Sequence, residues 1–350
     1  MERLSPLFFR SFRLLTWLTL TSLIFGSAGA KLAAAAPAPA YRTTTMFGVE
    51  YLDVRDFGRR FGMSAAWTER EKSMRLKNAT TTFELSVNSV ESSLNGLRLF
   101  LGEPVVLRDS KLFISRRDAE DFLGPMLTLN AGAGRSPVKT IVIDAGHGGN
   151  DPGNQNLRLK LNEKTFTLDV ARRLEKLLKA RGFKVVMTRK RDRAVELDDR
   201  AAIANKAQAD LFISIHFNAF SRASIEGTET YVMTPLHQRS SPQAERDRAM
   251  VTTRYPANLY DRWNAVLGFQ MHRAMMANLK STDRGLKRFR YSVLRSVECP
   301  AVLVEAGFLS NDPEGRKIST GAYRQRIAES IAAGVSQHVA VRQRAVPRRG

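Results

Sequence analysis

A short apolar run, Thr140–Ile143, passes directly into Asp144-Ala-Gly-His-Gly-Gly-Asn-Asp-Pro-Gly153. The run shows no polar alternation, so it reads as a strand of the buried, parallel kind. Five glycine or proline residues in the ten that follow forbid a regular element there. A chain with this junction presents His147 on a loop at the carboxyl end of a strand, where open α/β sheets place their ligands. Two readings of the loop compete. A glycine-rich turn can cradle phosphate, but neither G-x-x-x-x-G-K-[ST] nor a clean G-x-G-x-x-G is present. Alternatively His147 is a metal ligand, which requires partners elsewhere in the chain.

The pattern around the junction predicts a sheet to carry those partners. Strands are expected at Val138–Asp144, Lys184–Thr188, Asp210–His216, Gly227–Met233 and Pro300–Glu305. Helices are expected at Glu163–Arg181, Leu197–Lys206, Leu259–Leu279 and Tyr323–Val341, with Phe166, Val170, Leu174, Leu177 and Leu178 at helical spacing in the first. This alternation predicts an α/β fold, a mostly parallel sheet with helices on both faces. Residues 45–130 read differently. Short alternating segments, such as Val49–Val54, Thr82–Val87, Pro104–Leu107 and Lys111–Ser115, are split by turn signals, with helices expected at Asp53–Phe61 and Arg116–Leu123. They predict a small β-rich N-terminal domain. Residues 31–44 read as a flexible spacer, 131–137 as a linker, 138–342 as the main domain and 343–350 as a basic tail. The polar stretch 233–260 has no strong period and is expected to be a surface loop or a lid over the sheet's active edge.

The strand ends carry the chemistry. Leu211-Phe-Ile-Ser-Ile-His216 closes on a histidine followed by Phe217 and Asn218, and Ala301-Val-Leu-Val-Glu305 closes on a carboxylate. A carboxylate ending an apolar strand is costly unless paired or bound to a metal. Glu163 opens a helix that Asn162 is positioned to cap, and the helix dipole there favours the ionised form. Two histidines and two glutamates could thus converge on one sheet edge. Two His and one Glu holding Zn²⁺, with a position left for water, is a catalytic zinc arrangement.

The segments "VIDAGHGGNDPG", "NEKTFTLDVARRLEKLL", "VVMTRKRD", "DDRAAIANKAQADLFISIHFNA", "GTETYV", "DRGLK" and "CPAVLVEAGFLSN" are similar to those of the zinc-dependent N-acetylmuramoyl-L-alanine amidases of bacterial cell walls, over about residues 138–340. The resemblance implies that His147, Glu163 and His216 are the ligands of one Zn²⁺ and that Glu305 is the catalytic glutamate. It implies hydrolysis of the amide between N-acetylmuramic acid and L-alanine of peptidoglycan, in wall remodelling or daughter-cell separation. The connection 233–260 is longer than is usual in that family. Residues 45–130 resemble the copper-amine-oxidase N-terminal-like module in "YLDVRDFGRRFGMSAAWTEREKSMRL" and "LFISRRDAEDFL". They hold neither histidine nor cysteine, so a wall-binding or spacing role is expected in place of a copper site. Asn218 and Ser214 are candidates to support the site, and Arg284 to meet a substrate carboxylate or to pair at the surface. His237, His272 and His338 lie outside any motif, and the single cysteine, Cys299, reads as an apolar filler.

Compartment and partners follow from the ends and the charge. Arg3, Arg10 and Arg13 precede an apolar run, Leu14–Phe25, and small residues ending Ala28-Gly-Ala30. That order is expected of a Sec-type signal peptide over residues 1–30, with an uncleaved membrane anchor as the alternative. Export to the periplasm or cell envelope argues against nucleic acid as the anionic partner of a chain with net charge +21 and favours peptidoglycan. Membrane contact is then expected only through the signal peptide, and an activator protein is a further expected partner. Two other functions stay open at this level: a zinc peptidase or deacetylase on the same polymer, and a wall-binding regulator on an amidase scaffold.

Overall fold

The computed structural model describes residues 41–129, 137–241 and 250–345. The expected signal peptide 1–30, most of the spacer and linker, and the last five residues of the tail lie outside them. In chain order the elements begin with β1 (Thr43–Met46), β2 (Val49–Asp53), α1 (Val54–Arg60), β3 (Ser64–Glu69), β4 (Ser73–Lys77), β5 (Thr82–Ser86), β6 (Glu91–Leu94), β7 (Leu97–Phe100), β8 (Val106–Arg108) and β9 (Lys111–Ser115). A π-helical turn, Asp118–Leu123, and α2 (Gly124–Thr128) close this region. Then come β10 (Thr140–Ala145), β11 (Gln155–Asn156), β12 (Leu161–Asn162), α3 (Glu163–Ala180), β13 (Lys184–Met187), α4 (Leu197–Lys206), β14 (Leu211–Asn218) and β15 (Thr228–Val232). The chain ends with α5 (Asp261–Leu279), β16 (Asp283–Arg288), α6 (Ser292–Arg295), β17 (Ala301–Phe308), α7 (Asp312–Ser319) and α8 (Gly321–Ala345).

The apolar runs become the centre of the sheet. Every residue of β10 and of β17 is buried, as are the first five of β14. The strand order β13-β10-β14-β17 is parallel throughout. Strand parity sorts the two faces. Ile141, Ile143, Ile213, Ile215, Val302 and Val304 pack with α3, α5 and α8, whereas Val142, Phe212, Ala301 and Leu303 pack with α4 and α6. Helices therefore cover both faces, as expected. β15 runs antiparallel to β17, so the sheet is mixed.

Two boundaries differ from expectation at the chain's edges. β1 begins at Thr43, inside the expected spacer, and α8 continues to Ala345, inside the expected tail. The larger difference is in the middle. β16, a charged segment in which no strand was expected, pairs with β15 on one side and with β7 on the other. One sheet therefore runs β13-β10-β14-β17-β15-β16-β7-β6-β5-β4-β3, from the main domain into the N-terminal region. One apolar core also spans both, from Leu52, Phe57 and Leu99 to Ile141, Leu174 and Ile331. A separate four-stranded sheet, β1-β2-β9-β8, completes the N-terminal region. Among the described residues no helix is long and apolar enough to cross a membrane.

The first part of the stretch 233–260, up to Ser241, is packed into the fold, and residues 242–249 lie outside the described residues. Thr234, Gln238, Ser240 and Ser241 are buried. Arg288 donates to Gln238 Oε1 (2.9 Å) and Arg290 to the carbonyls of Pro235 and Gln238. Two strand-end arginines hold this segment down, which explains a buried conformation without apolar periodicity.

Candidate metal centre and active site

The carboxyl ends of β10, β14 and β17 bring the nominated residues together. Parity puts Asp144, Ser214, His216 and Glu305 on the α4/α6 face. Glu163 reaches the same edge from the first turn of α3. One ligand atom each of His147, Glu163 and His216 lies within 4.8 Å of the others. His147 Nε2 is 3.0 Å from Glu163 Oε2, and His216 Nδ1 is 2.9 Å from Glu163 Oε1. Asn162 stands at the N-cap of α3 but makes no capping bond with its side chain.

Glu163 is fully buried, yet held as a carboxylate. Burial pushes its pKa up, but the two imidazoles outweigh it and bring the group to about 2. Each oxygen also accepts a backbone N–H, Oε2 from Asn154 (2.8 Å) and Oε1 from Phe217 (3.0 Å). His147 sits at φ +62°, a left-handed conformation that a non-glycine residue adopts at a cost. Its ring is fixed by Asp151, whose Oδ2 is 2.7 Å from Nδ1 and whose Oδ1 accepts from Gly153 N (2.9 Å). That contact leaves Nε2 facing the site. Burial lowers the His147 pKa, but Glu163 and Asp151 together raise it above the ordinary value. At Gly153, φ is +66° and a Cβ would stand 2.6 Å from the His147 ring and 2.7 Å from Glu163 Oε2. Only glycine lets the loop close over these two side chains. Two imidazoles and one ionised carboxylate, with a carboxylate behind one ring, fit a borderline divalent ion such as Zn²⁺.

Glu305 is buried, and its Oε2 has no hydrogen-bond partner. Burial, then the charges of Glu163 and Glu229, raise its pKa well above the ordinary carboxylate value. With His147 and His216 it lines a cavity of about 480 Å³ that Ala194, Val195, Leu197 and Val293 also line. None of the described parts of 233–260 lines this cavity. Residues 194–197 and 291–293 line it as well.

The supporting candidates sort themselves by partner. Ser214 donates to Asp144 Oδ2 (2.7 Å), beneath the ligands. Asn218 and Arg284 both turn to Glu229, at 3.0 and 2.9 Å, so Arg284 is engaged within the fold. His272 is buried between Thr230 and Asp283, His338 is buried beside Trp263, His237 is exposed, and Cys299 lies in the α4–α6 layer.

Several residues that hold the site in place carry no motif of their own. Asp144 is fully buried and accepts from Thr188 (2.7 Å), Arg200 (2.8 Å) and Ser214. Arg200 also donates to the carbonyls of Ala145, His147 and Val195, and Arg189 to those of Ala145, Gly146 and Lys164. Two buried guanidinium groups thus hold the backbone that carries His147. The available signal was an aspartate one residue from the end of an apolar strand, with arginines in "VVMTRKRD" and "DDRAAIANK". The Asp151 contact makes a direct prediction. Asp151→Asn is expected to weaken Zn²⁺ binding about 10–100-fold in competition with a chromophoric chelator; unchanged affinity would show that Asp151 does not orient the ring.

A family model described as N-acetylmuramoyl-L-alanine amidase matches residues 141–337. The amidase AmiC of Escherichia coli O6:H1 is 32% identical over 228 residues, 59% of this chain and 54% of its own length. The amidase LytC of Bacillus subtilis is 33% identical over 202 residues, 57% of this chain and 36% of its own length. Thus the match spans about a third to a half of these relatives. Among solved structures, the catalytic domain of the amidase CwlV from Bacillus (Paenibacillus) polymyxa var. colistinus shares 32% identity, covers 58% of this chain and 99% of its own, and gives a TM-score of 0.48. By the extent of the family match, the chain belongs to the N-acetylmuramoyl-L-alanine amidase family.

Proposed function

We propose that this chain hydrolyses the amide bond joining the lactyl group of N-acetylmuramic acid to L-alanine of the peptidoglycan stem peptide. The observation that carries the reading is the unpartnered Oε2 of buried Glu305 beside three convergent metal-donor side chains. His147, Glu163 and His216 would hold one Zn²⁺. When bound, the ion supplies Lewis-acid polarisation of a carbonyl and lowers the pKa of water toward neutrality. Glu305 takes the attacking water's proton on its carboxylate and returns it to the departing amine. Asp151 keeps the His147 lone pair on Nε2 pointed at the site.

The excess positive charge suits an anionic wall polymer, the N-terminal sequence suits export to the periplasm or envelope, and an activator protein remains a proposed partner. A wall-binding or spacing role is proposed for residues 45–130. The test is digestion of purified peptidoglycan by the mature chain with Zn²⁺, with chelator, and as Glu305→Ala. Expected are zinc-dependent release of stem peptides with new L-alanine amines, intact glycan, and a loss of about 10²–10⁴-fold in the variant. Binding to the polymer without release would overturn the reading.

A further inference from the structure

The N-terminal region touches the proposed chemistry through one strand. β7 lies beside β16, with Leu99 opposite Leu286, and Arg98 N donates to Asp283 Oδ2 (3.0 Å) across the pair. Phe100 at the end of β7 lies 5.4 Å from the Lys287 ammonium, ring centroid to Nζ. The approach is built in at Gly285, where φ is +96° and a Cβ would stand 2.6 Å from the Phe100 ring. Lys287 is buried and donates to Glu229 Oε1 at 2.6 Å. Glu229, buried as well, also accepts from Tyr231 (2.7 Å), Arg284 and Asn218. In the antiparallel ladder Glu229 stands directly opposite Glu305. Facing residues on such a ladder lie about 5 Å apart at Cβ, on the same side of the sheet. A buried cation, sealed by an aromatic face from the N-terminal region, therefore fixes the acid that faces Glu305.

We propose that β7 is part of the active-site scaffold: Phe100 covers Lys287, Lys287 anchors Glu229, and the two buried charges are positioning residues for the Glu305 carboxylate. This rests on the proton-carrying role proposed for Glu305. It gives residues 45–130 a task inside the catalytic unit, beyond any contact with the wall. Breaking the chain displaces Glu305 without touching the metal ligands, so turnover falls while metal affinity does not. A misplacement on the order of 1 Å costs about 100-fold in rate.

The test uses the full chain with Lys287→Met, Lys287→Arg and Phe100→Leu, assayed for kcat and KM on soluble peptidoglycan fragments and for Zn²⁺ affinity by chelator competition. Lys287→Met is expected to lower kcat about 100-fold, with KM and Zn²⁺ affinity within a few-fold of the parent chain. Lys287→Arg is expected to recover part of the loss. Phe100→Leu keeps apolar volume while removing the aromatic face, and is expected to lower kcat by a smaller factor of about 3–10. Turnover within twofold of the parent in Lys287→Met, or activity lost in proportion to bound metal, would overturn the inference. A readout independent of substrate is the crystal structure of Lys287→Met. Displaced Glu229 and Glu305 carboxylates support the scaffold, and unmoved ones overturn it. Should the parent chain release no stem peptide, the amidase reading fails, and that structure still decides whether Lys287 positions the two acids.

Discussion

Glu163→Gln is expected to abolish useful metal binding, weakening Zn²⁺ by more than the ~100-fold typical of losing a partner behind a ligand, and to destabilise the metal-free fold as well. Both effects follow from one geometry. Each carboxylate oxygen accepts a backbone N–H, from Asn154 and from Phe217, while facing one imidazole nitrogen. An amide must turn its NH₂ toward one of those N–H groups, leaving a buried donor unsatisfied at a cost of about 1–3 kcal/mol. The charge that attracts a cation is lost together with that hydrogen bond. The pH dependence has a definite sign. The folded-state pKa of about 2 lies below the ordinary glutamate value of 4.5, so ionised Glu163 contributes stability above about pH 4.5 that fades as pH falls toward 2. The glutamine variant lacks that dependence. Urea unfolding at pH 7 and pH 3, with chelator competition at pH 7, measures both effects. Zn²⁺ affinity within threefold of the parent would remove Glu163 from the ligand set.

Arg200→Met is the second large effect, expected to cost about 3–5 kcal/mol. Asp144 has no exposed surface, and Arg200 supplies its charge partner at 2.8 Å. Burial drives the Asp144 pKa up, but Arg200 first, then His216, Ser214 and Thr188, outweigh it and hold the group below the ordinary value of 3.8. Its stabilising contribution is therefore present above that value and lost as pH falls through the lower, folded-state pKa. Without Arg200 the carboxylate is a buried charge with only hydroxyl partners, and the carbonyls of Ala145, His147 and Val195 lose a donor. The difference between parent and variant should shrink in acid, where Asp144 can take a proton. Adding Asp144→Asn should recover part of the loss, since it removes the stranded charge. Urea midpoints at pH 7 and pH 4 for the two singles and the double are the measurement. Strictly additive losses would show that the pair is not the source of the cost.

What could be read from the sequence was whatever depends on near neighbours. β10, β14 and β17 announce themselves because each is a continuous apolar run, and β9 and α4 fall on the residues expected. The meeting of His147, Glu163 and His216 was legible because strand ends in a parallel sheet share one edge. β16 was not. Asp283-Arg-Gly-Leu-Lys-Arg288 looks like an exposed polar segment, and its charges are satisfied by His272 on the preceding helix and by Glu229 and Asp118, which lie far away in the chain. The same holds for Asp144 and Arg200, 56 residues apart. The expected helix at Arg116–Leu123 is a π-helical turn in which Asp118 bends inward to the backbone N–H groups of Gly102 and Glu103. Long-range electrostatic partners carry no local period, and that is where reading by pattern ends.

The pairing of β7 with β16 has a consequence for handling the protein. A chain severed ahead of β10 would keep every nominated ligand, yet β16 would become the open rim of its sheet. Unpaired N–H and C=O groups along such a rim recruit other strands. Lys287, drawn inward to Glu229, would not be free to repel a neighbour. A fragment trimmed to the family match should therefore self-associate at concentrations where the longer chain stays dispersed, and light scattering would separate the two.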